Sequence, residues 1–178
     1  MIRLRIGMAA ALAALGAPAG AQEAVSAEFG YRSLDLATLG LGDGVEAYAI
    51  ETVVVVAAGS GPLAGLRGRC ILAGTRDAGH AAEGRCALSD GAGDRLLLDL
   101  SERSVPGQAP EGEGRWTGGT GRFADARGAF TYRLMSYALR PEGVMEGVGR
   151  LDGDLALATP PPAEPPEAPF RLIIPEAP

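Results

Sequence analysis

The chain has only two cysteines, and a single turn decides where they lie. The segment Leu66 to Ser89 reads LRGRCILAGTRDAGHAAEGRCALS. A three-residue loop at Asp77-Ala78-Gly79, with Gly79 in the left-handed conformation, sets Arg76 opposite His80. Counting outward from that pair brings Cys70 opposite Cys86. Leu66, Cys70, Leu72, Cys86 and Leu88 then share one face of a hairpin, and Arg67, Arg69, Glu83 and Arg85 share the other. Cysteines facing each other on paired strands predict a Cys70–Cys86 disulfide, provided that the chain matures in an oxidising compartment. Neither CxxC spacing nor clustered histidines support a redox or metal site.

The apolar face continues into the neighbouring turns. Centring SDGAGDR on Ala92 pairs Leu88 with Leu96 and Cys86 with Leu98, leaving Arg95, Leu97 and Asp99 on the outside. Asp90 and Asp94 flank glycines there, but two carboxylates fall short of the six to eight oxygens that calcium takes, so they read as turn residues. Further on, Arg140-Pro141-Glu142-Gly143 suits a type I turn. Counting back from it sets Phe130 opposite Gly153, Tyr132 opposite Leu151 and Leu134 opposite Gly149, with charged residues on the opposite face. Upstream, EFGYRSLDL and VEAYAIETVVVVAAG are two more strand runs joined by the glycine-rich ATLGLGDG, and GRWTG adds a short one. About eight strands result, with almost no helical periodicity after the N-terminus. The Val53 to Val56 strand is apolar on both faces, which predicts either a covered second side or a homo-oligomer contact.

The ends read differently. MIRLRIGMAAALAALGAPAGAQ carries two arginines before a short Ala/Leu run and ends in small residues, the pattern of a signal peptide cleaved after Ala21. The apolar run is too short for a bilayer span, so stable membrane insertion is not expected. Residues 22–158 are then the folded domain. Residues 159–178, TPPPAEPPEAPFRLIIPEAP, hold eight of the thirteen prolines and read as an extended tail whose FRLII tip could add to a sheet edge. Losing Met1 to Ala21 moves the formal charge from −6 to −8, which argues against nucleic acid as a partner. All the basic residues other than the one histidine are arginine; with abundant Ala and Gly this points to GC-rich coding, hence a bacterial source and a periplasmic or secreted protein. Deleting residues 159–178 should leave the thermal midpoint within a few degrees of the full chain; a larger fall would show that the tail is docked on the domain.

The densest glycine run is GGTGRFADARGAF, residues 118–130. Two phosphate-binding readings fail. GGTGRF lacks the P-loop lysine, and in VVVVAAGSGPLAG the glycines at 59, 61 and 65 miss the GxGxxG spacing with no helix to follow. Gly118, Gly119, Thr120, Gly121, Phe123, Ala126 and Gly128 instead resemble the turn of the allene oxide cyclase and dirigent proteins. That resemblance implies an all-β fold, a single eight-stranded antiparallel barrel in which the glycines permit a tight turn and Phe123 plugs one end. It also implies chemistry on bound hydrophobic intermediates, but none of the family's polar catalytic residues can be matched here.

The expected lining of the barrel is Tyr48, Leu96, Leu98, Phe130, Tyr132 and Leu134. The registered strands turn no ionisable group inward except Tyr132. Asp35, Glu46 and Glu51 are expected on the outer face, and the single histidine, His80, reads as a turn residue. The leading reading is therefore an exported, non-catalytic barrel, without metal or cofactor, whose interior takes a small apolar ligand. The alternatives are a cofactor-independent cyclase or isomerase acting inside the barrel, and a cell-envelope interaction module.

Overall fold

In the computed structural model, which describes residues 22–139 and 144–158, eight antiparallel strands close into one barrel in simple sequential order. They are β1 (Gln22–Gly42), β2 (Val45–Gly59), β3 (Arg67–Arg76), β4 (His80–Ser89), β5 (Arg95–Ser104), β6 (Glu111–Gly119), β7 (Arg127–Leu139) and β8 (Met145–Ala156). The expected signal peptide, the proline-rich segment with its FRLII tip, and the expected Arg140–Gly143 turn fall on residues outside those described. Closure comes from β1 pairing with β8 between Gln22↔Ala156 and Arg32↔Glu146.

The hairpin registers follow the sequence pattern. Cys70 faces Cys86 and Arg76 faces His80, the two sulfurs are bonded, and Cys86 and Leu88 face Leu98 and Leu96. Gly79, however, does not adopt a left-handed conformation. The Asp77 N–H bonds to the Gly79 carbonyl at 2.9 Å, and the Asp77 carboxylate accepts the Gly79 N–H at 2.9 Å. Glycine is required there for space, since a Cβ would lie 2.3 Å from the Ser104 carbonyl oxygen.

Three further expectations change in detail. ATLGLG is not a loop: β1 runs through it to Gly42, and the turn is only Asp43-Gly44, both with positive φ, as a two-residue hairpin demands. GRWTG is the end of a nine-residue strand. Between β7 and β8, Phe130, Tyr132 and Leu134 face Gly153, Leu151 and Gly149, but a bulge between Leu134 and Ser136 shifts the pairing so that Leu139 faces Met145. The type I register therefore holds in the barrel body and not beside the turn.

One end of the barrel is sealed twice. After β2, residues Gly61–Leu63 form a 3-10 turn that inserts Leu63, and after β6, Gly121–Phe123 does the same with Phe123. The two plugs share their bonding: each has the same three successive backbone bonds, from Leu63, Ala64 and Leu66 in one and from Phe123, Ala124 and Ala126 in the other. Each is also anchored by a hydroxyl, Ser60 accepting the Ser26 N–H and Thr120 accepting the Arg95 N–H. In sequence, GSGPLAGLRG and GTGRFADARG are the same pattern sixty positions apart. Gly121 has φ of +54°, and a Cβ there would strike the Asp94 carboxylate, so any other residue strains the backbone and displaces that carboxylate. Asp90 and Asp94 are spent on this turn: Asp90 binds the Ala92 and Asp94 N–H groups and pairs with Arg122, and Asp94 accepts the Arg122 N–H. The plug side chains Leu63 and Phe123, with Leu66, Leu96 and Leu155, make a fully buried floor.

Candidate functional site

Above that floor the barrel is hollow. A cavity of about 380 Å³ runs from Leu63, Cys70, Cys86 and Trp116 at its base to the Asp77–Gly79 loop and the β5–β6 connection at its mouth. That size falls at the small end of ligand-binding pockets. On β6 the alternation EGEGRW turns Gly112 and Gly114 inward, which gives two aromatic rings of β7 room to lie against that wall. The Phe130 and Tyr132 rings lie over those two positions: a Cβ on Gly112 would sit 2.5 Å from the Tyr132 ring. Trp116 stacks on Phe130 with ring centroids 4.4 Å apart, and its indole N–H is satisfied by the Asp154 carbonyl at 2.8 Å. From β2, Ile50, Thr52, Val54 and Val56 complete the wall. The other face of that strand presents Val53 and an exposed Val55, which accounts for the two-sided apolar pattern.

Five of the six expected lining residues, Tyr48, Leu98, Phe130, Tyr132 and Leu134, stand on the cavity wall. Leu96 does not. It lies one layer lower, fully buried in the packed floor, because β5 enters the barrel beside the Phe123 plug. Asp35 is exposed, with its carboxylate capping the Leu36 N–H. Glu51 pairs with Arg69, and Glu46 pairs with Arg76 at the rim.

The upper wall carries an inward polar chain that the sequence reading missed. Ser104 Oγ lies 2.7 Å from His80 Nδ1, His80 Nε2 lies 2.8 Å from Glu102 Oε1, and the Tyr132 hydroxyl donates to Glu102 Oε2 at 3.0 Å. An ionised carboxylate can only accept, so Nε2 carries a proton, and in the neutral imidazole Nδ1 then accepts from the serine. His80 is thus the first inward residue of β4 and not a turn residue; its side chain and that of Glu102 are 17% and 14% exposed. The signal was available: the register that pairs Cys86 with Leu98 also pairs His80 with Ser104, and the alternation Leu96, Leu98, Leu100 carries on to Glu102 and Ser104. Ala82 and Gly112 flank Glu102 on the neighbouring strands, leaving its side chain room inside.

Tyr48 and Tyr132 are held protonated. Burial pushes the Tyr48 phenol up to about 12, helped by the nearby Glu102 charge; burial and then Glu102 raise Tyr132 well above the ordinary tyrosine range. The cavity thus has an apolar, aromatic base and a hydrogen-bonding upper wall. Among the described residues, no group of three or more His, Cys, Asp or Glu side chains is placed to hold a metal ion.

The closed eight-stranded antiparallel barrel is dirigent-like in fold. Among solved structures the chain is similar to the pterocarpan synthase dirigent protein GePTS1, with a TM-score of 0.56 over 85% of this chain and 100% of that one, at 17% identity. At that identity the likeness is one of fold. No protein-family model matches the chain, and no curated protein matches it in sequence.

Proposed function

We propose that this chain is an exported barrel that holds one small, mostly apolar ligand, with a single polar group of that ligand directed at the upper wall. The observation that carries this reading is the cavity, about 380 Å³ in volume, in a fold whose eight strands leave room either for packed side chains or for one small ligand. The aromatic base at Trp116 and Phe130 favours flat or aliphatic groups, and the upper wall offers hydroxyls to a polar end. Export is supported by the N-terminal charge and hydropathy pattern together with the disulfide.

An environment-sensitive apolar dye should bind the folded protein with a stoichiometry near one. Leu134→Trp, which fills the mouth level of the cavity, should abolish binding while the thermal midpoint stays within a few degrees. Absence of dye binding, with Leu134→Trp costing the ~1–3 kcal/mol of overpacking, would mean that the interior does not admit ligand.

A further inference from the structure

The polar chain on the upper wall ends in a hydroxyl, and its connectivity says which of its atoms can react. Both Glu102 oxygens are engaged, one by His80 and the other by Tyr132. Glu102 is therefore not free to take a proton from a bound molecule. The imidazole is bonded on both sides as well, with Nε2 oriented by the carboxylate and Nδ1 facing Ser104. The one atom of the chain that is activated and not consumed by the chain is Ser104 Oγ, which can give its proton to Nδ1 and still present its lone pairs to the cavity. Nucleophile, base and orienting carboxylate within hydrogen-bond reach of one another are the arrangement of an acyl-transfer site. Whether the base uses Nδ1 or Nε2 is immaterial to the proton transfer as long as the acid holds the other nitrogen.

We infer that Ser104, His80 and Glu102 form a nucleophilic site that hydrolyses small apolar esters seated in the cavity. The inference rests on the reading of the cavity as a ligand space. In the acylation step Oγ bonds to the ester carbonyl carbon while its proton passes to His80 Nδ1. The carbon–alkoxide bond then breaks, and the leaving alcohol takes that proton. Water repeats the sequence in reverse, giving its proton to Nδ1 and its oxygen to the acyl carbon, and Ser104 recovers its hydrogen as the acid leaves. Glu102 balances the positive charge on the imidazole at each transfer, and Tyr132, by donating to its second oxygen, holds it in place. Tyr48, whose ring lies edge-on to His80 at 6.5 Å between centroids, lines the same cavity. The acyl chain points down toward Phe130 and Trp116, where a small apolar group fits and a charged one does not.

A fluorophosphonate probe tests the inference without knowledge of the natural ester, because it transfers phosphorus to an activated serine oxygen and releases fluoride. Mass spectrometry of the labelled protein should place the adduct on Ser104. Labelling should fall at least about 100-fold in His80→Gln, since general-base assistance is worth that much or more; circular dichroism and the thermal midpoint establish that the variant is folded. Hydrolysis of p-nitrophenyl butyrate should be lost in Ser104→Ala in the same proportion. No adduct on Ser104, or an adduct that forms equally fast in folded His80→Gln, overturns the inference. Dye titration of the same samples separates the two readings: a dye that binds while Ser104 stays unlabelled leaves a binding barrel without acyl chemistry, whereas failure of both removes the ligand space as well.

Discussion

Phe123→Ala should lower the stability of the folded chain by about 3–5 kcal/mol, the range for truncating a buried aromatic ring. Phe123 is completely inaccessible, closes one end of the barrel, and has the Arg122 guanidinium 4.4 Å from its ring centre. Urea unfolding monitored by Trp116 fluorescence reads the change, and Leu63→Ala, in the equivalent position of the other plug, should cost a comparable ~2–5 kcal/mol. A loss below about 1 kcal/mol at either position would mean that the floor does not depend on that plug. If both substitutions are made, their effects should exceed or fall short of the sum, because the two side chains belong to one buried cluster.

Replacing both cysteines by alanine should cost about 3 kcal/mol, the entropy that a loop of this length loses when cross-linked. For a domain of this size that corresponds to a thermal midpoint roughly 10 °C lower. The same fall should follow reduction of the wild-type protein, and the unreduced chain should be two hydrogens lighter than the dithiol. Cys70 and Cys86 are both buried on the cavity wall. Alkylation by a thiol reagent before reduction would contradict the bridge, and with it the register of β3 on β4.

What could be read from the sequence was whatever short-range counting controls. Only six residues separate the Asp77–Gly79 turn from either cysteine, so an error in the reason for Gly79 did not propagate: the loop length alone set the register. The same counting gave the β4–β5 and β7–β8 pairs, even though a bulge displaces the latter near its turn. The glycine-rich run after β6 carried the plug because each of its residues has a local steric duty. The polar chain was missed for a different reason. His80 follows a turn and Ser104 precedes one, so the β4–β5 register had to be carried to the strand ends before the two met on the inner face. The cavity itself was not legible, since it depends on the distance between walls contributed by strands from every part of the chain. Gly112 and Gly114 signalled small residues facing rings, but not whether the remaining space is filled.

The seam between β1 and β8 also governs how such a chain can reach its final state. Its partners stand roughly 110 to 130 residues apart, whereas the Cys70–Cys86 hairpin closes over a sequence separation of 16. Bringing the distant pair together costs about 2 kcal/mol more in loop entropy than closing the hairpin, and long-range pairing is slow. The cysteines can therefore oxidise while the sheet is still open, pinning β3 to β4 before the ends meet. The order of synthesis adds to this delay. β1 is made first and β8 last among the eight, so the side of β1 that β8 will cover keeps its amides and carbonyls unpaired throughout the assembly of the other six strands. That interval is when a second chain could add to β1, and completing the ring is what removes the hazard.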